Sequence, residues 1–133
     1  MPPPPQQLWN ALIRTHHITS RKKIAKLKQA ATSYAVAVLL HSGSPPGIMY
    51  VEGSKTGVEE WVGNVNRLRY KDYQLAARPA VVEREGGVGD VDAVGSGVEE
   101  TESVKEFGAR MQRRGVFGWW RRAMGYAGDD QRL

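Results

Sequence analysis

The 133-residue chain contains no cysteine. That excludes a disulfide framework, a thiolate nucleophile and any zinc site built on cysteine, and it fits an intracellular setting, nuclear or cytoplasmic. No apolar run approaches the roughly 18 residues that a bilayer span needs, so no membrane is expected as a partner. The first seven residues include four consecutive prolines and lack the basic and apolar regions of a signal peptide. They read as the end of a proline-rich linker. Also missing are a Ser or Cys nucleophile signature and a pair of carboxylates beside a histidine. The segment from Gly53 to Gly57 holds only fragments of a phosphate-cradling loop. A non-catalytic protein without a cofactor is the expectation.

What the chain does have is charge in blocks. Residues 1–82 carry eleven Lys/Arg against four Asp/Glu, residues 83–106 two against eight, and residues 107–133 six against two. Such asymmetry predicts a basic folded part over 8–82, a disordered acidic Gly-rich linker over 83–103 and a basic helical element over 104–126. A basic folded part makes nucleic acid a reasonable partner.

The centre of the pattern is residues 12–28. An extended stretch ends in His16 and His17, and Thr19 or Ser20 then caps a helix that opens with Arg21, Lys22 and Lys23 and continues with Lys26 and Lys28. Cations at a helix start oppose the macrodipole, which suggests that a partner needs them there. Ile24, Leu27, Ala31 and Tyr34 form the apolar stripe of this helix. Strands are predicted over Tyr34–Leu40 and Gly47–Glu52, separated by the Ser-Gly-Ser-Pro-Pro turn that begins at Ser42. The Thr56/Glu59 spacing of a capping box opens a second helix with Val58, Trp61, Val62, Val65 and Leu68 on one face. A last strand over Tyr73–Ala77, ended by Arg78 and Pro79, completes β-α-β-β-α-β, the ferredoxin-like α+β sandwich with two helices on one sheet face.

In the terminal element, Val104, Phe107 and Met111 share a helix face, and a second short helix carries Trp119, Trp120, Arg121 and Arg122. A docked helical hairpin, a free protein-interaction motif and a membrane-surface helix all fit this pattern. Docking through Phe107, Met111, Phe117, Trp120 and Met124 is expected, because soluble chains avoid so large an exposed apolar patch. Trp119, Trp120, Arg121 and Arg122 are the candidates for a protein partner.

His16 and His17, as strand neighbours, would point to opposite faces and could not chelate one metal ion. Tyr50 occupies the third-strand slot from which RNA-recognition motifs stack bases, but without the second aromatic that reading needs.

Taken together, His16-His17-Ile18, Ser20 with the cations after it, the Pro46–Gly53 run and the Trp61 helix resemble one family. It is the C-terminal domain of the splicing factor Prp-three, a small nuclear ribonucleoprotein component, also found after RWD domains. The resemblance covers about residues 9 to 126. It implies a ferredoxin-like domain that contacts structured RNA, in the splicing factor paired small nuclear RNAs. Carried over by motif, the RNA-facing candidates are His17, Arg21, Lys22 and Lys23, to which the charge and aromatic arguments add Lys26 and Tyr50. The acidic insertion and the missing upstream region depart from the splicing factor and favour the RWD-linked branch, in which the module would serve protein interaction.

Overall fold

The computed structural model describes residues 7–85 and 96–126. The proline run up to residue 6 and the middle of the acidic segment, residues 86–95, lie outside the described residues. The elements are β1 (Trp9–Thr15), α1 (Arg21–Tyr34), β2 (Ala37–His41), β3 (Gly47–Gly53), α2 (Lys55–Arg67), β4 (Gln74–Val81), β5 (Gly97–Thr101), α3 (Val104–Arg113) and α4 (Phe117–Met124). The five strands form one mixed sheet in the order β4-β1-β3-β2-β5. All neighbours are antiparallel except β2 and β5, which are parallel.

Strand alternation divides the core in two. Ala11, Ile13, Val38, Leu40, Met49 and Val51 face α1 and α2, where they meet Ile24, Leu27, Val58, Trp61 and Val65. Trp61 is fully buried, and its indole N–H donates to the Leu27 carbonyl at 3.3 Å. The other face presents Leu12, Leu39, Ile48 and Tyr50 to Phe107, Met111, Val116, Trp120 and Met124 of the terminal hairpin. Helices therefore cover both faces, and the hairpin docks through four of its five expected anchors, with Phe117 only partly buried beside them.

Several local boundaries differ from the sequence reading, each for a physical reason. The first strand stops at Thr15, so His16 and His17 lie beyond it; their rings come together, centroids 4.8 Å apart, instead of facing apart. Tyr34 closes α1 and does not open β2: Ala35 turns left-handed (φ 55°), and the Val36 N–H bonds the Ala31 carbonyl at 3.0 Å. The α2 cap is Ser54, whose hydroxyl accepts from the Gly57 N–H at 3.0 Å, not the Thr56/Glu59 box. β4 runs through Pro79 to Val81 because it is an edge strand with a shifted register there, where a missing N–H is tolerated.

The largest correction concerns the acidic linker. Within 83–103, Gly97–Thr101 is a strand, and its alternation uses the acids on both faces. Glu100 faces α1 and takes a forked bond from Arg21, while Glu99 faces α3 and pairs with Arg110. Thr101 donates to the Leu40 carbonyl at 3.2 Å. Charge density made this stretch look solvated, whereas Glu99 and Glu100 each meet a cation on a packed helix. Among the described residues no helix is long and apolar enough to cross a membrane.

Candidate nucleic-acid interface

The two helices of the first face run antiparallel. A side chain on Gly57, in the first turn of α2, would come within 2.7 Å of the Tyr34 carbonyl at the end of α1. The end of α2 and the 68–72 connection therefore sit beside the start of α1. Lys23 Nζ lies 4.7 Å from the Tyr70 ring centroid, and the His16 N–H bonds the Lys71 carbonyl at 2.9 Å. Arg69 and Asp72 adopt left-handed conformations (φ 61° and 57°) that turn this connection tightly around α1.

The result is one basic end of the molecule, made from two parts of the chain. Lys22, Lys23 and Lys26 come from α1; Arg67, Arg69 and Lys71 come from the end of α2 and its connection; His16 and His17 lie at the rim. Among the described residues, no carboxylate pairs with Lys22, Lys26, Arg67, Arg69 or Lys71. Asp72 stands 3.7 Å from His16. The first turn of α1 has no acidic residue, so its dipole reinforces the positive field. Ser20 supplies the cap by accepting from the Lys23 N–H at 3.2 Å.

The structure reorders the expected site residues. Lys22, Lys23 and Lys26 stay together, and His17 is exposed next to them. Arg21 is committed to Glu100 by bonds of 3.1 and 2.9 Å, and the carboxylate raises its pKa above the ordinary value. Arg21 and then Ser42 pull the Glu100 carboxyl down to about 2 against the desolvation that opposes them. Arg21 is thus a strand-to-helix clamp and drops out of the interface.

Tyr50 drops out too. It is 1% exposed beneath the terminal hairpin, so no base can stack on it in this conformation. Its hydroxyl donates to Glu52 at 2.6 Å and accepts from Asn10 at 3.1 Å, and burial followed by the Glu52 charge raises its pKa. Glu52, itself fully buried, pairs with Arg84 at 2.9 Å and lies 3.8 Å from Arg114. Arg84 also donates to the Arg114 carbonyl at 2.7 Å, tying the strand that leaves the sheet to the α3–α4 corner.

Of the protein-interaction candidates, Trp120 is a core residue stacked on Phe107 with centroids 5.8 Å apart. Its adjacency to Trp119 in sequence hid this, since consecutive helical residues point about 100° apart. Trp119 is half-buried, edge-on to Tyr50 at 5.7 Å. Arg121 lies over Phe117 and donates to the Tyr126 carbonyl at 3.3 Å, and Arg122 is exposed. Arg67, Arg69 and Lys71 were missed by sequence reasoning, although the antiparallel pairing of two helices on one face brings the end of the second beside the start of the first.

No protein-family model matches the sequence, and no curated protein matches it. Among the described residues no three His, Asp or Glu side chains gather in a group that would hold a metal ion.

Proposed function

We propose that this chain is a non-catalytic RNA-binding module that holds structured RNA by its phosphate backbone at the start of α1. The observation that carries it is the gathering there of cations from two elements that have no carboxylate partner among the described residues, whereas Arg21 and Arg110 are each paired with a glutamate of β5. A folded protein gains nothing from gathering Lys22, Lys26, Arg67, Arg69 and Lys71 at one end, and an anionic polymer does. The resemblance of the His16–Lys23 and Pro46–Gly53 segments to the splicing-factor C-terminal domain supports the same reading, with small nuclear RNA as the partner class. So does the β4-β1-β3-β2 portion of the sheet, which we take as a ferredoxin-like core extended by β5. With the second sheet face under α3 and α4, recognition is by backbone and shape, not by bases stacked on the sheet.

The test is fluorescence anisotropy with an RNA duplex at two salt concentrations, using wild type and the combined Lys22→Ala, Lys26→Ala, Lys71→Ala variant. These three side chains are exposed, and their removal leaves Arg21 and Lys23 in their contacts. Binding should weaken at least about tenfold at low salt, with the salt slope reduced by roughly 3. Equal affinity, or no wild-type binding at low salt, rejects the reading. The second reading, a protein-interaction module of the RWD-linked kind, draws on Trp119, half-exposed on the terminal hairpin near the exposed Arg122.

A further inference from the structure

A second polar feature lies at the end of the sheet. Gln74 stands opposite Arg14 in the β1–β4 register, and cross-strand partners project to the same face. Two residues further on, His16 and Asp72 form the next pair, 3.7 Å apart. Thr15 and the Pro45–Pro46 turn, which contains a cis peptide bond, close the third side. Together these groups line a cavity of ≈ 400 Å³, within the range of small-ligand sites.

The walls are firmly set. A side chain on Gly47 would collide with the Thr15 hydroxyl and come within 2.8 Å of Ile18, so only glycine lets β3 approach this corner. Arg14 is half-buried and oriented by one bond, 3.2 Å, from Nη1 to the Met124 carbonyl at the end of α4. Its remaining guanidinium donors have no partner among the described residues. His16 Nδ1 faces Asp72, and Nε2 has no partner among them either.

We propose that this cavity binds a phosphate monoester carried on a hydroxylated group such as a sugar. Arg14 and Gln74 present donors side by side, the arrangement that suits a terminal phosphate. Asp72 accepts only, so it would repel the phosphate but suits the hydroxyls of the group attached to it. The proposal goes beyond the RNA reading: the cation cluster grips a polymer by its exposed backbone, whereas this concave site holds one end group. Two sources share the chemistry, a free sugar phosphate and the phosphorylated end of an RNA strand.

The experiment is a ¹H–¹⁵N titration of the whole chain with inorganic phosphate, ribose 5-phosphate, and short RNA strands with and without a 5′-phosphate. Saturable shifts at Thr15, His16 and Gln74 with ribose 5-phosphate, tighter than with inorganic phosphate, are expected. Gln74→Glu, which sets a carboxylate against the phosphate without touching the Arg14–Met124 bond, should weaken them at least about tenfold. Arg14→Gln should do the same, and its unchanged distant resonances would show that α4 stays docked. Preference for the 5′-phosphorylated strand over its unphosphorylated form names the strand end as source; equal RNA affinities with ribose 5-phosphate bound name the free sugar phosphate. Non-saturating shifts, shifts confined to Lys22, Lys23 and Lys26, or an unaltered Gln74→Glu affinity would overturn the site. The Lys22, Lys26, Lys71 variant should retain ribose 5-phosphate binding, so loss of the RNA reading and loss of this one are separate results.

Discussion

The two faces of the sheet are held by different physics. The α1–α2 face is an apolar core in which the Trp61 ring sits among aliphatic side chains, and one indole N–H finds a helix carbonyl. The α3–α4 face also buries aromatics, but beside them runs a buried chain of polar groups from Asn10 through Tyr50 and Glu52 to Arg84 and Arg114. Apolar burial is non-directional, and many arrangements of similar residues achieve it. A buried ion pair is directional, and it is worth its desolvation only when every partner is in place. The first face thus supplies stability, and the second adds a condition on where the terminal hairpin sits.

Removing the centre of each core tests that contrast. Trp61→Ala should have the largest effect, a loss of about 4 kcal/mol in urea unfolding with the whole domain unfolding cooperatively. A loss under about 1 kcal/mol would show that the first face is not the main core. Glu52→Ala should cost about 3 kcal/mol, because it leaves the partly buried Arg84 and Arg114 without their anion. Its signature is local: amide exchange should accelerate in α3 and α4 before it does in α1 and α2. Uniform acceleration would mean that the network does not govern the hairpin separately.

Acid gives a smaller and graded effect. The folded-state pKa of Glu100 is depressed, so its pairing with Arg21 contributes stability above the ordinary carboxyl value of 4.5 and loses it as pH falls towards about 2. Arg21 stands in solvent and the pair is screened by it, so the contribution is small. Glu100→Gln should lower stability at neutral pH by that same small amount and flatten this part of the acid-unfolding curve, the two proteins converging as the pH approaches 2; an unchanged curve would remove Glu100 as the titrating group. The smallest effect is expected for Tyr70→Phe. The Tyr70 hydroxyl is buried with no hydrogen-bond partner among the described residues, and burial lifts its pKa to about 12. Losing it should cost nothing and can add up to about 1 kcal/mol, while the ring under Lys23 remains. A clear destabilisation would reveal a partner for that hydroxyl.

Much of the first face was legible in the amino-acid order. Ile24, Leu27, Val58, Trp61 and Val65 repeat at helical spacing, and β3 is bounded by a Pro-Gly turn and Gly53, so local periodicity was enough to place them. The cations of α1 were visible for the same reason. Arg69 and Lys71 were not seen as part of that cluster, because their proximity to Lys23 comes from the antiparallel packing of two helices and not from spacing along the chain. Tyr50 was misplaced as an open stacking residue, since a strand pattern tells which residues share a face but not whether something lies over it.

By itself the sequence determined the helices, four of the five strands within a few residues, the apolar side of each helix and the basic end of the domain, all properties set by neighbours within a turn or a strand. The tertiary structure alone decided that an acidic stretch becomes β5, that Arg21 serves as a clamp, and that the terminal hairpin closes the second face. Those outcomes depend on pairings such as Arg21 with Glu100 and Glu52 with Arg84, across 79 and 32 residues. A carboxylate in a charged run carries no local mark of the cation that folding will set beside it.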